Sequence, residues 1–340
     1  MIIDKNFSPL MERCFQGRSF SMEETKALIH GMLDDTLSDI RIASVLTAFR
    51  FIPLTAENII AIVETCREKA LSLKLSSQLN IVDCGGTGGG EKGKTAHIST
   101  MAALVAASTG ALVAKFSGKS LSSKSGSSGL LQFLNIVPVK APESAEQGLK
   151  KTGIIFLDAA TFYPTLKSLS DVRKTLGFKT IIDLIFPLAN PVNLSGQVVG
   201  VYHKNVMSLM SDCLKEIGRK RALVVHGEDG MDEISVCSAT FVSRLCEGKI
   251  KAETWKPSDF GIKTHDVSEL RVKNLENSAQ IFLDVLNGKA SQAITSAVEI
   301  NAAAIVWCAE ITNSIPEALS LVRQSIQSKK ALKTFEKWKQ

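Results

Sequence analysis

The sequence predicts an α/β protein in which a small all-helical domain accompanies a large α/β domain with a mostly parallel central sheet. Three observations lead to this prediction. Roughly the first 75 residues place apolar side chains at the spacing of amphipathic helices. From residue 76 onward, short apolar runs alternate with helical segments, the order that builds a parallel sheet. Glycine-rich, serine-rich or acidic turns follow several of those runs.

Length and composition limit the possibilities. The chain has 340 residues and 45% hydrophobic content, enough for two domains with a full core. No stretch reaches eighteen uncharged apolar residues, and acids interrupt the first residues where a signal peptide needs an apolar run. We therefore expect a cytoplasmic protein that is not associated with a membrane.

Cysteine spacing and net charge are less decisive. The seven cysteines are widely scattered without a Cys-x-x-Cys pair, which argues against a disulfide framework and against a zinc site. The formal net charge of +6 fits an anionic substrate and equally fits weak nucleic-acid binding.

The N-terminal segment carries helix start signals. Ser21 and Glu24 form a capping-box pattern, and Ser38 and Thr55 precede two further apolar-periodic stretches. We expect residues 1–75 to form the small helical domain.

The remaining elements follow in order. Strands are predicted at 81–82, 112–114, 154–157, 198–201, 222–225, 234–237 and 250–255. Two amphipathic helices are predicted between 163 and 190, and apolar helices at 279–286, 290–306 and 315–326. The tail from 329 to 340 is expected to be a solvated helix end.

The first glycine loop predicts a phosphate site. Five glycines occupy the six positions 85–90, between the strand at 81–82 and a helix expected to begin at Ser99. Glycines at such a turn let several backbone N–H groups point at one anion.

A second loop at 115–127 has similar chemistry. It holds three lysines and six serines without an acid, a mixture that suits several phosphate oxygens. The alternative interpretation is a flexible linker, although linkers seldom separate strongly apolar segments of one α/β pattern.

The glycine loop also permits a rival function. Residues 88–95 read GGGEKGKT and fit the Walker A pattern, and the run 154–158 ends in an acid that could serve magnesium in an ATPase. Against this, the following helix is expected four residues beyond Thr95, and the loop at 115–127 has no role in a P-loop fold.

The stretch 226–235 predicts a cation site. It reads HGEDGMDEIS, follows a strongly apolar strand, and carries four acids in a glycine-containing turn. Carboxylates at the carboxyl end of a strand suit a hard cation such as Mg²⁺. A solvated acidic turn is the alternative.

Four motifs together resemble the anthranilate phosphoribosyltransferase family and, more distantly, the pyrimidine nucleoside phosphorylases. They are Asp-x-x-Gly-Thr-Gly-Gly from Asp83, x-Ile-Ser-Thr at 97–100, Ser-x-Lys-Ser-Gly-Ser at 122–127, and His-Gly-Glu-Asp-Gly-x-Asp-Glu at 226–233. The resemblance implies transfer of a phosphoribosyl group from phosphoribosyl diphosphate (PRPP) to the amine of an aromatic acid, anthranilate, in tryptophan biosynthesis. It also implies Mg²⁺ as cofactor.

The resemblance further implies a domain organisation. Helices at 163–190 would complete the small domain of residues 1–75, and residues 76–162 and 191–340 would form the PRPP-binding domain. The active site would lie in the cleft between the two, and the protein would be a homodimer paired through its helical domain.

Residue roles come from the same resemblance. It implies that the diphosphate is contacted by Gly86, Thr87, Gly88 and Gly89, and that magnesium is held by Ser99, Asp232 and Glu233. It implies further phosphate contacts by Thr95, Thr100, Lys115, Ser123, Lys124 and Ser127. Other substrate-binding positions would be His97, Gly118, Lys119, Tyr163 and Arg173. It implies catalytic roles for Lys115, Arg173, Asp232 and Glu233. Arg173 would face the acceptor carboxylate, although a helix-surface salt bridge is the alternative.

Several positions depart from the family pattern on the acceptor side. The family's Lys-His-Gly-Asn-Arg is replaced here from Lys115 onward, so that Phe116 and Gly118 stand where a histidine and an asparagine would be. Tyr163 replaces a second histidine, and Asp183 and Phe186 replace an asparagine and a glycine.

On the donor side, Gly90 replaces an aspartate and His97 an asparagine, while the magnesium positions are retained. The donor is therefore more firmly predicted than the acceptor. A nucleoside phosphorylase and a non-catalytic nucleic-acid-binding paralogue stay as alternatives, although the latter needs no magnesium ligands such as Ser99, Asp232 and Glu233.

Overall fold

The computed structural model describes residues 2–73, 75–76, 78–88, 95–118 and 126–340. The chain divides into two compact units. One combines Met1–Ser72 with Ala160–Pro191, and the other combines Leu73–Ala159 with Val192–Gln340. The first of these units is helical in its described residues, and the second contains the sheet.

A single seven-stranded sheet forms the centre of the larger unit. Its strands are β1 (Ile81–Gly86), β2 (Leu112–Ser117), β3 (Ile154–Asp158), β4 (Gly196–Gly200), β5 (Arg221–Gly227), β6 (Thr240–Cys246) and β7 (Lys249–Trp255). The spatial order is β3-β2-β1-β4-β5-β6-β7. The first five strands in that order are parallel, and β6 and β7 extend the sheet as an antiparallel edge. The predicted fold class is confirmed.

The α-helices of the described chain have the following bounds. They are α1 (Ile2–Phe15), α2 (Met22–Leu33), α3 (Asp39–Ala48), α4 (Ala56–Glu68), α5 (Ile98–Ser108), α6 (Ser127–Phe133), α7 (Pro142–Thr152), α8 (Ala159–Phe162), α9 (Leu166–Leu176), α10 (Ile181–Ile185), α11 (Met207–Glu216), α12 (Leu275–Leu286), α13 (Gln292–Cys308), α14 (Ile315–Gln327) and α15 (Lys330–Trp338). Among these residues, no helix combines the length and the apolar character that a membrane crossing requires.

The smaller unit is built on capped, amphipathic helices. The Ser21 hydroxyl accepts the Glu24 N–H while the Glu24 carboxylate accepts the Ser21 N–H, so two free donors of α2 are satisfied. Helix α2 packs against α4, and their facing residues Leu28 and Ile62 are fully buried.

The larger unit is organised around two apolar helices. Helices α5 and α13 pack against each other, and small buried residues such as Ala103 and Ala303 let their backbones approach closely. A helix that is apolar on all sides belongs in a core rather than on a surface. Because α5 begins at Ile98, this packing fixes the position of Ser99 relative to the strand ends.

Two predictions about elements were wrong. Residues 234–237 form no strand, because the Asn301 side chain accepts the Ile234 N–H (3.0 Å) and donates to the Ile234 carbonyl (2.9 Å). Hydrogen bonds to the Asn301 side chain thus take the place of strand pairing at Ile234. The tail is not merely a solvated helix end, since α15 buries Ala331 and Phe335 against the core.

Candidate active site

The acidic turn after β5 is fixed by hydrogen bonds within itself. One Asp229 carboxylate oxygen accepts the Met231 N–H (3.1 Å), and the other accepts the Ser235 hydroxyl (2.6 Å). The Gly227 N–H donates to the Met231 carbonyl (2.8 Å). Asp229 therefore shapes the turn, and the next two acids, Asp232 and Glu233, are presented at the carboxyl end of the sheet.

Two glycines at the ends of neighbouring strands make room for this turn. A Cβ added at Gly86 would lie 2.1 Å from Asp232 Oδ2, and one added at Gly200 would lie 1.6 Å from the Asp232 carbonyl oxygen. Real Cβ atoms essentially never come within 3.0 Å of another heavy atom in this way. Glycine at position 200 therefore leaves room for the backbone of the acidic turn, and glycine at position 86 leaves room for the Asp232 carboxylate in its present position.

Glu233 is half-buried beside the start of α5. Its carboxylate accepts the Ser99 backbone N–H (3.2 Å), one of the donors that a helix N-terminus leaves free. Burial is the largest cause, and the nearby Asp232 carboxylate the second, of a rise in the Glu233 pKa to about 8. The site thus presents two adjacent carboxylates, one of which meets a free N–H at the start of a helix.

A small cavity of about 40 Å³ lies between these groups. It is lined by Cys84, Gly85, Gly86, Ser99, Ala102, Val198, Gly200, Val225, Asp232, Glu233, Asn301 and Ile305. Four predicted site residues therefore lie together, although the acidic turn is far from the other two in sequence: Gly86, Ser99, Asp232 and Glu233.

The oxygen donors at this cavity suit Mg²⁺. Mg²⁺ prefers hard oxygen ligands, and it is usually held by one or two carboxylates together with water and substrate phosphates. Among the described residues, no group of three or more His, Cys, Asp and Glu side chains is arranged so that it could hold a metal ion, so the carboxylate pair would supply only part of a coordination shell. That donor set agrees with an ion shared with a phosphate substrate.

Lys115 supplies positive charge near the two acids. Its side chain is 1% exposed, its Nζ donates to the Cys84 carbonyl (3.0 Å), and its charge acts to lower the Glu233 pKa. Burial raises the pKa of the Cys84 thiol to about 11, so this cysteine stays protonated and is not a nucleophile.

The first glycine loop leaves β1 with a defined geometry. The Thr87 N–H donates to the Gly200 carbonyl (2.9 Å), and the Thr87 hydroxyl accepts the Tyr202 N–H (3.0 Å). Gly88 follows with φ +82°, a conformation that side chains disfavour. The chain therefore turns sharply at the strand end, as a phosphate-binding loop requires.

The structure describes five further residues that were predicted to bind substrate. Thr95 forms an isolated antiparallel bridge with Arg271, and His97 Nδ1 lies 2.8 Å from the Ser278 hydroxyl. The Thr100 hydroxyl is buried without a hydrogen-bond partner among the described residues. Ser127 is the first residue of α6. Gly118 follows the end of β2.

Some predicted positions lie outside the described residues. These are Gly89, Gly90, Lys119, Ser123 and Lys124. The ATPase alternative is not favoured by the described residues, because Thr95 lies in a bridge and α5 begins only at Ile98. A P-loop would open its helix directly at the Lys-Thr pair.

The two predicted acceptor residues belong to the smaller unit. Tyr163 is 2% exposed, its hydroxyl donates to the Ala189 carbonyl, and burial raises its pKa. Arg173 Nη2 donates to Asp183 Oδ1 (2.7 Å), and its Nε is buried without a partner in the described chain. The structure thus contains the salt bridge that was the alternative for Arg173, and it leaves one guanidinium N–H open.

Two site residues were missed from the sequence. Gly200 ends an ordinary apolar strand, and nothing in its local pattern indicates that Asp232 packs against it. Asn301 lines the cavity and holds Ile234. Asn301 stands between apolar residues on the buried part of α13, and a buried amide that needs hydrogen-bond partners was a signal that could have identified it.

The fold and the site together define a glycosyl transferase. A model of the glycosyl transferase family, a/b domain, matches residues 78–332, and a model of its helical bundle domain matches residues 8–70. Curated relatives include the anthranilate phosphoribosyltransferases of Persephonella marina, 33% identical, and Endomicrobium trichonymphae, 35% identical. The first alignment covers 95% of both chains and the second 94% of both.

Solved structures of anthranilate phosphoribosyltransferases have a similar fold. Anthranilate phosphoribosyltransferase from Thermus thermophilus is 29% identical, with a TM-score of 0.89 over 97% of this chain and 98% of that one. A Saccharomyces cerevisiae variant with Mg bound is 26% identical, with a TM-score of 0.80 over 94% of this chain and 92% of that one. The chain therefore belongs to the glycosyl transferase family that contains the anthranilate phosphoribosyltransferases. The predictions of family and of glycosyltransferase class are confirmed.

Proposed function

We propose that this chain transfers the phosphoribosyl group of PRPP to the amine of anthranilate, the reaction named for its relatives, within tryptophan biosynthesis. The observation that carries the proposal is the convergence of Asp232, Glu233 and Ser99 on one cavity beside the glycine ends of β1 and β4. PRPP needs such a site because its diphosphate is strongly anionic and departs with further charge.

Asp232, Glu233 and the Ser99 hydroxyl are the groups that would hold Mg²⁺. When bound there, the ion would supply charge neutralisation for the diphosphate. Asp229 supports this set indirectly, since its hydrogen bonds to Met231 and Ser235 hold the turn that presents both acids.

The chain's own residues would align the donor. Backbone N–H groups of the loop after Thr87 would bind phosphate oxygens, and Gly88 allows the loop to approach them closely. Lys115 projects from β2, and its hydrogen bond to the Cys84 carbonyl fixes the position of its ammonium group. From there it would stabilise negative charge near the leaving group. The amine nitrogen would form its bond to C1 of the ribose as the bond from C1 to the diphosphate oxygen breaks. Catalysis would rest on alignment and charge stabilisation without a covalent nucleophile.

In the smaller unit, Arg173 would bind the acceptor carboxylate, and exposed apolar residues would form the dimer contact. Arg173 offers a buried Nε–H without a partner among the described residues, which an acceptor carboxylate could take up. Phe15, Ile40 and Phe51 are each at least 78% exposed on this unit, an unusual exposure for large apolar side chains. A homodimer formed through the helical unit would cover them.

The test combines turnover with a matched pair of variants. The purified protein should convert anthranilate and PRPP to a phosphoribosyl adduct, detected by mass spectrometry, only when Mg²⁺ is present. The double variant Asp232→Asn with Glu233→Gln should lose at least about 100-fold in kcat/KM while keeping its unfolding midpoint.

The control double variant is Asp212→Asn with Glu216→Gln, which removes the same two charges from the exposed face of α11. It should retain turnover. Equal activity of both double variants would remove the metal assignment. Turnover of a nucleoside with inorganic phosphate, in place of anthranilate with PRPP, would replace the proposed reaction by that of a nucleoside phosphorylase.

A further inference from the structure

Arg173 and Asp183 form a partly buried ion pair in the smaller unit. Arg173 lies in the last turn of α9, and Gly177, with φ +68°, ends that helix so that the chain turns back into α10. The two side chains meet at 2.7 Å and are only 16% and 15% exposed. The charge of the guanidinium is therefore largely balanced by a residue of this same chain.

The position of the Asp183 carboxylate is fixed from its other side as well. Its Oδ2 accepts the Thr180 N–H (2.8 Å) and the Thr180 hydroxyl (3.2 Å), which closes a capping box at the start of α10. One oxygen thus caps a helix while the other holds Arg173. Because Thr180 holds one oxygen, the carboxylate cannot turn away from Arg173 without breaking the capping box.

The guanidinium is nevertheless not saturated. Arg173 Nε is buried and has no hydrogen-bond partner among the described residues. An unpaired buried N–H of a charged group is costly, and such groups call for a ligand or water. A carboxylate that bound there would place a second negative charge within several ångströms of Asp183.

We infer that Asp183 is a specificity-determining residue that weakens the binding of carboxylate-bearing acceptors at Arg173. It thereby reduces the difference in affinity between these acceptors and uncharged aromatic amines. The inference rests on the proposed function, because it takes Arg173 to be the acceptor contact. Two like charges a few ångströms apart in a partly buried site repel appreciably, whereas an amide at the same place would not.

The test is Asp183→Asn, compared with two other variants. This substitution keeps the size of the side chain and one acceptor oxygen while it removes the charge. We expect the KM for anthranilate to fall by about three- to tenfold. The KM for the uncharged analogue 2-aminobenzamide and the KM for PRPP should change by less than about twofold, because neither meets Asp183 through a carboxylate.

Asp171→Asn is the matched control. It removes the same charge from α9, the helix that carries Arg173, at a 75% exposed position that pairs with Lys174 at 3.6 Å, and it should leave both KM values unchanged. Asp183→Glu retains the charge but alters the geometry. It should keep the selectivity between the two acceptors close to that of the unmodified protein, and thereby separates charge from a purely structural role.

Equilibrium titration with benzoate provides a readout that does not need turnover. Benzoate should bind more tightly to the Asp183→Asn protein than to the unmodified protein or to the Asp171→Asn protein. If no variant converts anthranilate yet benzoate shows this order, the proposed reaction fails and the inference about Asp183 stands. An unchanged or weaker affinity for benzoate and anthranilate in Asp183→Asn would overturn the inference, whatever the turnover.

Discussion

Replacement of Gly86 by alanine tests whether the position of Asp232 matters for the reaction. The new Cβ would lie 2.1 Å from Asp232 Oδ2 and 2.9 Å from its Cγ, whereas ordinary contact begins at 3.4 Å. The carboxylate must therefore withdraw by about 1.3 Å, which rotation of a side chain can supply without moving the backbone. We expect kcat/KM to fall by about 100-fold, because a misplacement of that size costs roughly this much in catalysis.

Gly200→Ala makes the contrasting perturbation. Its Cβ would lie 1.6 Å from the Asp232 carbonyl oxygen and 2.4 Å from the carbonyl carbon, so the turn's backbone must move. We expect the same loss of activity together with a loss of about 1–3 kcal/mol in the free energy of unfolding. Gly86→Ala should lose less than about 1 kcal/mol.

Gly85→Ala is the stability control. It adds the same methyl group to the same strand, but nothing lies within 4 Å of the new Cβ, so the free energy of unfolding should not fall. The assays are anthranilate consumption at several Mg²⁺ concentrations and urea unfolding. Full activity of Gly86→Ala at low Mg²⁺ would refute the assignment of Asp232 to the ion, and equal destabilisation by Gly86→Ala and Gly200→Ala would refute the distinction between side-chain and backbone displacement.

Three further perturbations have definite expected outcomes. Tyr163→Phe removes the hydrogen bond to the Ala189 carbonyl and should lower the free energy of unfolding by about 1 kcal/mol in urea titrations, while no change would mean that the hydroxyl finds no partner in the folded protein. Asn301→Ala leaves the buried Ile234 N–H and C=O groups unpaired and should cost about 2–4 kcal/mol and reduce turnover, whereas a fully active, stable variant would contradict the anchoring role. Removal of Mg²⁺ with a chelator should abolish the stabilisation by PRPP, which is about 2.7 kcal/mol at a hundredfold excess over Kd, and a PRPP-induced shift that survives chelation would show that the donor binds without the ion.

Much of the fold could be read from the sequence because local patterns agree with the tertiary structure. The apolar runs that predicted strands 81–82, 112–114, 154–157, 198–201 and 222–225 all coincide with β1 to β5, the fourth extending one residue past β4. The segment 234–237 has the same apolar character, but its backbone is satisfied by a side chain of α13, a partner that only the folded chain provides. Strand β6 was not predicted because polar residues, among them Ser243 and Arg244, interrupt its apolar run.

The site was less accessible to such reasoning. The acidic turn and the glycine loop are contiguous patterns with a chemical meaning, so Asp232, Glu233 and Gly86 could be singled out. The need for glycine at position 200 arises from an approach between β4 and the turn after β5, which has no local signature. The roles of Tyr163 and Arg173 stay predictions, and their hydrogen bonds to Ala189 and Asp183 could not be inferred from spacing alone.

The amide of Asn301 links the innermost helix of the larger unit to the loop that carries the acids. Its oxygen and nitrogen hold both backbone groups of Ile234, the residue that follows Glu233. Opening of α13 would therefore release the loop that carries the carboxylates. Heat inactivation should thus follow the loss of this core, and stabilising substitutions along α13 should extend the working temperature of the enzyme without any change at the site itself.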